Sequence, residues 1–68
     1  MITIEVTNAN GRTCEVHISW GDYSHSSGLT DSNGRVRFDA SPGQGKILVD
    51  GQEVYSGPIG NTQRVQKK

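Results

Sequence analysis

Scarcity describes this 68-residue chain better than abundance: it has one cysteine, two prolines, one Trp, two Tyr and one Phe. With Cys14 alone, no disulfide forms within the chain, so the usual staple of a small scaffold is missing. An intermolecular bridge requires Cys14 to be exposed. No apolar run approaches the ~20 residues of a membrane-crossing helix. The start "MITIEVTNAN" lacks the charged and long apolar regions of a signal peptide, so no export address is expected if Met1 is the native start. Seven Lys+Arg offset seven Asp+Glu, which leaves no bulk field to draw nucleic acid or an anionic membrane. Few aromatics argue further against base-stacking platforms. No Asn-x-Ser/Thr acceptor and no sustained helical period occur.

What is present is alternation cut by turn residues. In "ITIEV", Ile2, Ile4 and Val6 are apolar while Thr3 and Glu5 are polar, the period of a half-buried strand. In "TCEVHISW", Cys14, Val16, Ile18 and Trp20 face one way and Thr13, Glu15, His17 and Ser19 the other. Asn10-Gly11 lies between as a reversal, so the two runs are predicted to form a hairpin with one shared apolar face. "GDYSHSSG", residues 21–28, reads as an exposed loop, "DSNG" as a turn, and "RVRFDA" as a strand with Val36, Phe38 and Ala40 inward. After the break "SPGQG", a second hairpin is expected in "KILVDGQEVYSG", with Ile47 and Val49 before Asp50-Gly51 and Val54 or Tyr55 after it. Leu48 spoils the alternation: either that strand is covered on both faces or Leu48 belongs to a contact surface. Pro58 confines "PIGNTQRV" to an edge position. Short strands at this spacing predict a sandwich or small barrel. Residues 1–60 form one β-sandwich domain in this reading, and residues 61–68 an edge strand or a flexible basic tail.

Thr30, Asp31, Gly34, Val36, Phe38, Pro42, Gly43, Ile47 and Val49 carry a Thr-Asp-x-x-Gly turn, an alternating strand, a Pro-Gly turn and another strand. That order resembles the carboxypeptidase regulatory-like domain, which is related to the transthyretin-like and Cna B-type sandwiches. The resemblance spans most of residues 2–56. It implies an all-β fold, a small Ig-like or prealbumin-like Greek-key sandwich of about six to seven short strands. Cna B-type relatives often carry a Lys–Asn isopeptide bond, but the first strand here has no lysine, so none is expected. Transthyretin-like hydrolases carry a C-terminal Tyr-Arg-Gly-Ser signature, and this chain ends "RVQKK".

Each chemical reading of the residues competes with a plainer one. Asp31 and Asn33 begin like a calcium loop, but Gly34 follows directly and no Glu lies at the required distance. A turn accounts for both residues. His17 and His25 could join Asp22 or Cys14 in a zinc site, yet alternation sends His17 and Cys14 to opposite faces, and a structural site wants four closely organised ligands. His17 then reads as a surface strand residue and Cys14 as a small buried hydrophobe. "YSHSSG" places hydroxyls beside an imidazole without a third orienting group. Trp20 reads as core, and Tyr23 stays open between loop packing and recognition.

The function expected from these readings is a non-catalytic β-sandwich module acting in protein binding, adhesion or assembly. The alternatives are a small β-barrel that binds nucleic acid or carbohydrate, or a hydrolase using His25 or His17. The candidate binding surface comprises Tyr23, His25, Leu48 and Tyr55. No catalytic residue, cofactor or metal is assigned. A protein partner or self-association is expected, because a thin core without a staple gains from burying more surface. Nucleic acid and a membrane span are not expected.

Overall fold

Period-two alternation folds into two facing sheets. The computed structural model describes residues 1–67, with seven strands and no helix among them. They are β1 (Ile2–Thr7), β2 (Glu15–Trp20), β3 (His25–Leu29), β4 (Arg35–Phe38), β5 (Gly43–Val49), β6 (Gln52–Ile59) and β7 (Thr62–Gln66). One sheet has the order β4-β1-β7 and the other β3-β2-β5-β6. The β1–β7 pair is parallel and every other pair is antiparallel. Residues 62–66 of the C-terminal segment are thus an edge strand, and Lys68 lies outside the described residues.

Most inward side chains are those the alternation marks, and Ala9, Ile59 and Val65 join them without having been marked. Ile2, Ile4, Cys14, Val16, Ile18 and Ile47 are fully buried, and Val6, Phe38, Val49, Ile59 and Val65 complete most of the core. Trp20, Val36, Ala40, Val54 and Tyr55 are half-buried and pack against it. Across β1 and β4, Ile2 opposes Phe38 and Ile4 opposes Val36, so both inner faces are set by one register.

The predicted hairpin of the first two runs does not form. β1 and β2 belong to different sheets, and their apolar faces meet across the interior instead of lying side by side. The connection, residues 8–14, is a crossover: Asn8, Asn10 and Gly11 take positive φ, and the Arg12 amide donates to the Ala9 carbonyl. It drops Ala9, 7% exposed, into the end of the core. Asn10-Gly11 reverses the chain, but it does so between layers.

Residues 21–28 are likewise not all loop, because β3 begins at His25. Its inward positions carry only Ser26 and Gly28, so no hydrophobic pattern announces it. The reason lies in the neighbours. A Cβ at Gly28 would stand 3.0 Å from Val36 and 3.4 Å from Phe38, so that space is already filled. Trp20 Nε1 donates to Ser26 Oγ at 3.2 Å. β5 also starts earlier than the break "SPGQG" suggests, at Gly43. Pro58 falls in β6, an edge strand, while β7 crosses to the other sheet.

Turn chemistry fixes the connections. Asp31 Oδ1 accepts the amides of Asn33 (2.8 Å) and Arg35 (3.0 Å), and its own amide donates to the Arg35 carbonyl. Gly34 has φ +79°, and its carbonyl accepts the Val6 amide at 2.7 Å. A Cβ there would lie 2.5 Å from the Val6 oxygen, so only glycine closes this turn against β1. Asp50 and Gly51 both take positive φ, the two-residue turn that suits the twist of β5 and β6. Leu48 sits outward of the core, where the pairing shifts register, and Val54 and Tyr55 both reach the core after the turn.

Thr30 is the one buried polar residue among those described, and it joins the start of β2 to the end of β3. Its Oγ1 accepts the Cys14 amide at 2.8 Å, and its amide donates to the Cys14 carbonyl at 2.9 Å. Thr30→Val keeps the volume and strands a buried donor, so it is expected to cost about 1–3 kcal/mol by denaturant titration, whereas Thr30→Ser should recover most of that loss.

Candidate functional site

The outer face of the four-stranded sheet holds the densest set of chemistry-bearing side chains. β2 sends Glu15, His17 and Ser19 outward, because Val16 and Ile18 must face the core. β3 pairs with β2 so that Ser19 opposes His25 and His17 opposes Ser27. His17 and His25 are therefore diagonal neighbours on one face. Their rings meet with Nε2 of His17 3.1 Å from Nδ1 of His25, centroids 5.1 Å apart and planes tilted by 40°. Leu48 opposes His17 from β5, and Lys46 opposes Ser19, its Nζ directed to Glu53 Oε1 at 3.8 Å.

β3 is also an edge. The Trp20 amide donates to the Ser24 carbonyl and the Thr30 amide to the Cys14 carbonyl, which sets the parity of the β2–β3 ladder. Ser26 and Gly28 thus exchange backbone bonds with β2, while the amides and carbonyls of His25, Ser27 and Leu29 point away from the sheet. The other three edges carry recognised guards. β4 presents Arg35 and Arg37, β7 presents Arg64 followed by Lys67, and β6 contains Pro58 and a register shift opposite Ile47 and Leu48. "HSSGL" has no Lys, Arg, Asp, Glu or Pro, and its last residue, Leu29, is 65% exposed.

At the β2–β3 turn, the Tyr23 amide donates to the Trp20 carbonyl and Tyr23 takes φ +70°. This is a tight turn followed by a left-handed residue, a position that usually holds glycine. Tyrosine there is a backbone outlier, and its side chain is 93% exposed. Beside it, an open groove of about 520 Å³ runs between Trp20, Asp22 and Ser24 on one side and Ala40, Pro42 and Gln44 on the other. Asp22 is not free in that groove: Oδ1 accepts the Ser24 hydroxyl and the Ser24 amide, and those bonds hold its carboxyl below the usual range.

The structure places the four expected surface residues differently from one another. Tyr23 closes the β2–β3 turn and His25 opens β3 two residues later, and Leu48 is half-buried on the outer face that His25 shares. Tyr55 packs against the core and donates its hydroxyl to the Pro58 carbonyl, so it is tied down. Cys14 is buried on the opposite face from His17. His17 belongs with His25, a partnership hidden in the sequence because residues 21–28 show no strand pattern. The signal that was available is the outward register of His17 itself. Among the described residues no group of three or more His, Cys, Asp or Glu converges, and no helix is long and apolar enough to cross a membrane. No family model, curated protein or solved structure matches the chain.

Carboxylates tie the frame together around this face. Asp50 Oδ1 accepts the Glu15 amide at 3.0 Å and Oδ2 meets Lys67 Nζ at 3.1 Å, linking the β5–β6 turn to β2 and to the chain just after β7. The Glu15 amide and then Lys67 hold the Asp50 carboxyl below its ordinary value. Amides of Arg35 and Asn33 do the same for Asp31. On the outer face of the other sheet, Glu5 lies between Arg35 (3.1 Å) and Arg64 (2.8 Å), and the Arg35 hydrogen bond followed by the Arg64 charge lowers its carboxyl.

A carboxyl lowered by folding contributes stability that is complete above its unfolded value and is lost as pH falls through the folded one. The ordinary values are 3.8 for aspartate and 4.5 for glutamate. The stability these carboxylates contribute is therefore expected to be complete above about pH 5 and to be lost as pH falls below about 4. Asp50→Asn, which tolerates the same φ, should lower the neutral-pH melting temperature and flatten the acid slope. Thermal melts across the series check this.

Proposed function

We propose that this protein is a non-catalytic sandwich module that works by pairing the open edge of β3 with an extended protein strand, in the first place β3 of a second copy. The observation that carries the reading is the contrast among edges. Three are guarded by charge, proline or a register shift, and one is not. A second β3 brings no formal charge of its own kind to the junction, and antiparallel addition joins two four-stranded sheets into one of eight. Tyr23, held in solvent at the end of this edge, supplies an aromatic anchor of the kind enriched in protein contacts.

Support against catalysis comes from the groove beside Trp20. Its one lining carboxylate is engaged by Ser24, and neither histidine lines it. We further propose that the chain shares the architecture of the carboxypeptidase regulatory-like and transthyretin-like sandwiches. Seven strands in two sheets, hairpins at β2–β3 and β5–β6, and the Thr30–Gly34 turn support a Greek-key arrangement.

Sedimentation across a dilution series tests the pairing, with Ser27→Pro as the informative variant. Proline at Ser27 removes an amide that points away from β2, so the sandwich keeps its ladder. The wild type is expected to dimerise, and Ser27→Pro to weaken the dimer at least about tenfold while the circular dichroism spectrum stays β-rich. A wild-type chain that is monomeric up to ~1 mM contradicts self-pairing.

A further inference from the structure

The diagonal His17–His25 pair has geometry that the fold does not require. His25 is exposed and His17 half-buried, neither contributes to the core, and two ring nitrogens share a hydrogen bond of 3.1 Å. Two imidazoles bound to one first-row metal at about 2.0–2.1 Å hold their nitrogens about 2.9 Å apart at a right angle and about 3.3 Å apart at the tetrahedral angle. The observed separation falls inside that interval. We propose that His17 and His25 form a two-histidine chelate for a divalent transition ion of the imidazole-preferring class, copper, nickel or zinc.

The register supplies the preorganisation. His17 stands opposite Ser27 and His25 opposite Ser19, with Cβ positions fixed by the β2–β3 ladder and by the burial of Val16 and Ile18 on the reverse face. Neither ring is locked by a second hydrogen bond, so a small rotation about each Cβ–Cγ bond turns both lone pairs toward a common point above the sheet. The register partners of the pair within β2 and β3 are the small residues Ser19 and Ser27, and Leu48 flanks His17 from β5. Lys46, the nearest cation in register, has its ammonium directed to Glu53.

Two protein ligands leave at least two coordination positions open. Water fills them in the free protein, and an incoming carboxylate or imidazole from a protein partner would replace it. The ligand set also sets selectivity. Imidazole nitrogens suit copper, nickel and zinc, with copper strongest, whereas magnesium and calcium demand oxygen donors. The chelate lies on the sheet face and does not depend on pairing of the β3 edge. Its test and the sedimentation test fail separately.

The experiment is a titration of the untagged 68-residue chain with copper(II), nickel(II) or zinc(II) salts in a non-coordinating buffer. It is read by calorimetry and by nitrogen chemical shifts of the histidine rings, zinc serving for the shifts because it is diamagnetic. The expected result is one ion per chain, copper binding tightest, and shifts at Nε2 of His17 and Nδ1 of His25. His17→Gln and His25→Gln should each weaken binding at least about tenfold, with no response to magnesium or calcium in any form. Absence of saturable binding overturns the proposal. So does equal affinity in either variant, or zinc-induced shifts that map to the Met1 amine instead of the rings. Because the ring shifts are read on the wild type, a variant that misfolds leaves the proposal decidable.

Discussion

Dry contact between the inner faces of β1, β2 and β5 governs the rest of the molecule. Ile2 and Ile4 from one sheet meet Val16, Ile18 and Ile47 from the other, all without solvent exposure. In a strand the side-chain period is two, so burying one set forces the alternate set outward. Val16 and Ile18 inside therefore mean His17 outside. Ile47 and Val49 inside mean Lys46 and Leu48 outside. The outer face that carries the histidines is thus a consequence of the core, and a slip of one residue in β2 would bury His17 and destroy both together.

A chain this short has little core to spare, and the polar bonds at its ends are placed where strands begin and stop. Thr30 and Cys14 close one end of the β2–β3 pair, and Asp50 fastens the opposite hairpin to β2 and to Lys67. Glu5 does a similar service across β4, β1 and β7 through two arginines. These ties surround β3 without covering it. The strand is held on one side by β2 and left open on the other, which is where the fold has room for a partner.

Much of this was readable from residue order because alternation is a local signal. β1, β2, β4 and the β5–β6 hairpin follow directly from Ile2, Val16, Phe38, Ile47 and Asp50-Gly51. Two features were not local. β1 and β2 share an apolar pattern, and nothing in it distinguishes a hairpin from two strands facing across an interior; Ala9 closing the core end is visible only in three dimensions. β3 was hidden because its inward residues are Ser26 and Gly28, small to admit Val36, Phe38 and Trp20 from elsewhere. With that strand unseen, nothing in the sequence set His17 and His25 side by side on one face. The turn at Asp31, by contrast, was legible because its bonds are made within five residues.

Amide hydrogen exchange along β3, followed by NMR in dilute and concentrated solution, tests the account most directly. In dilute solution the amides of Ser26 and Gly28 should be protected and those of His25, Ser27 and Leu29 should exchange freely. Concentration should then slow the second set alone. Uniform protection at all five positions in dilute solution, or free exchange at all five, would contradict a strand bound on one side and open on the other.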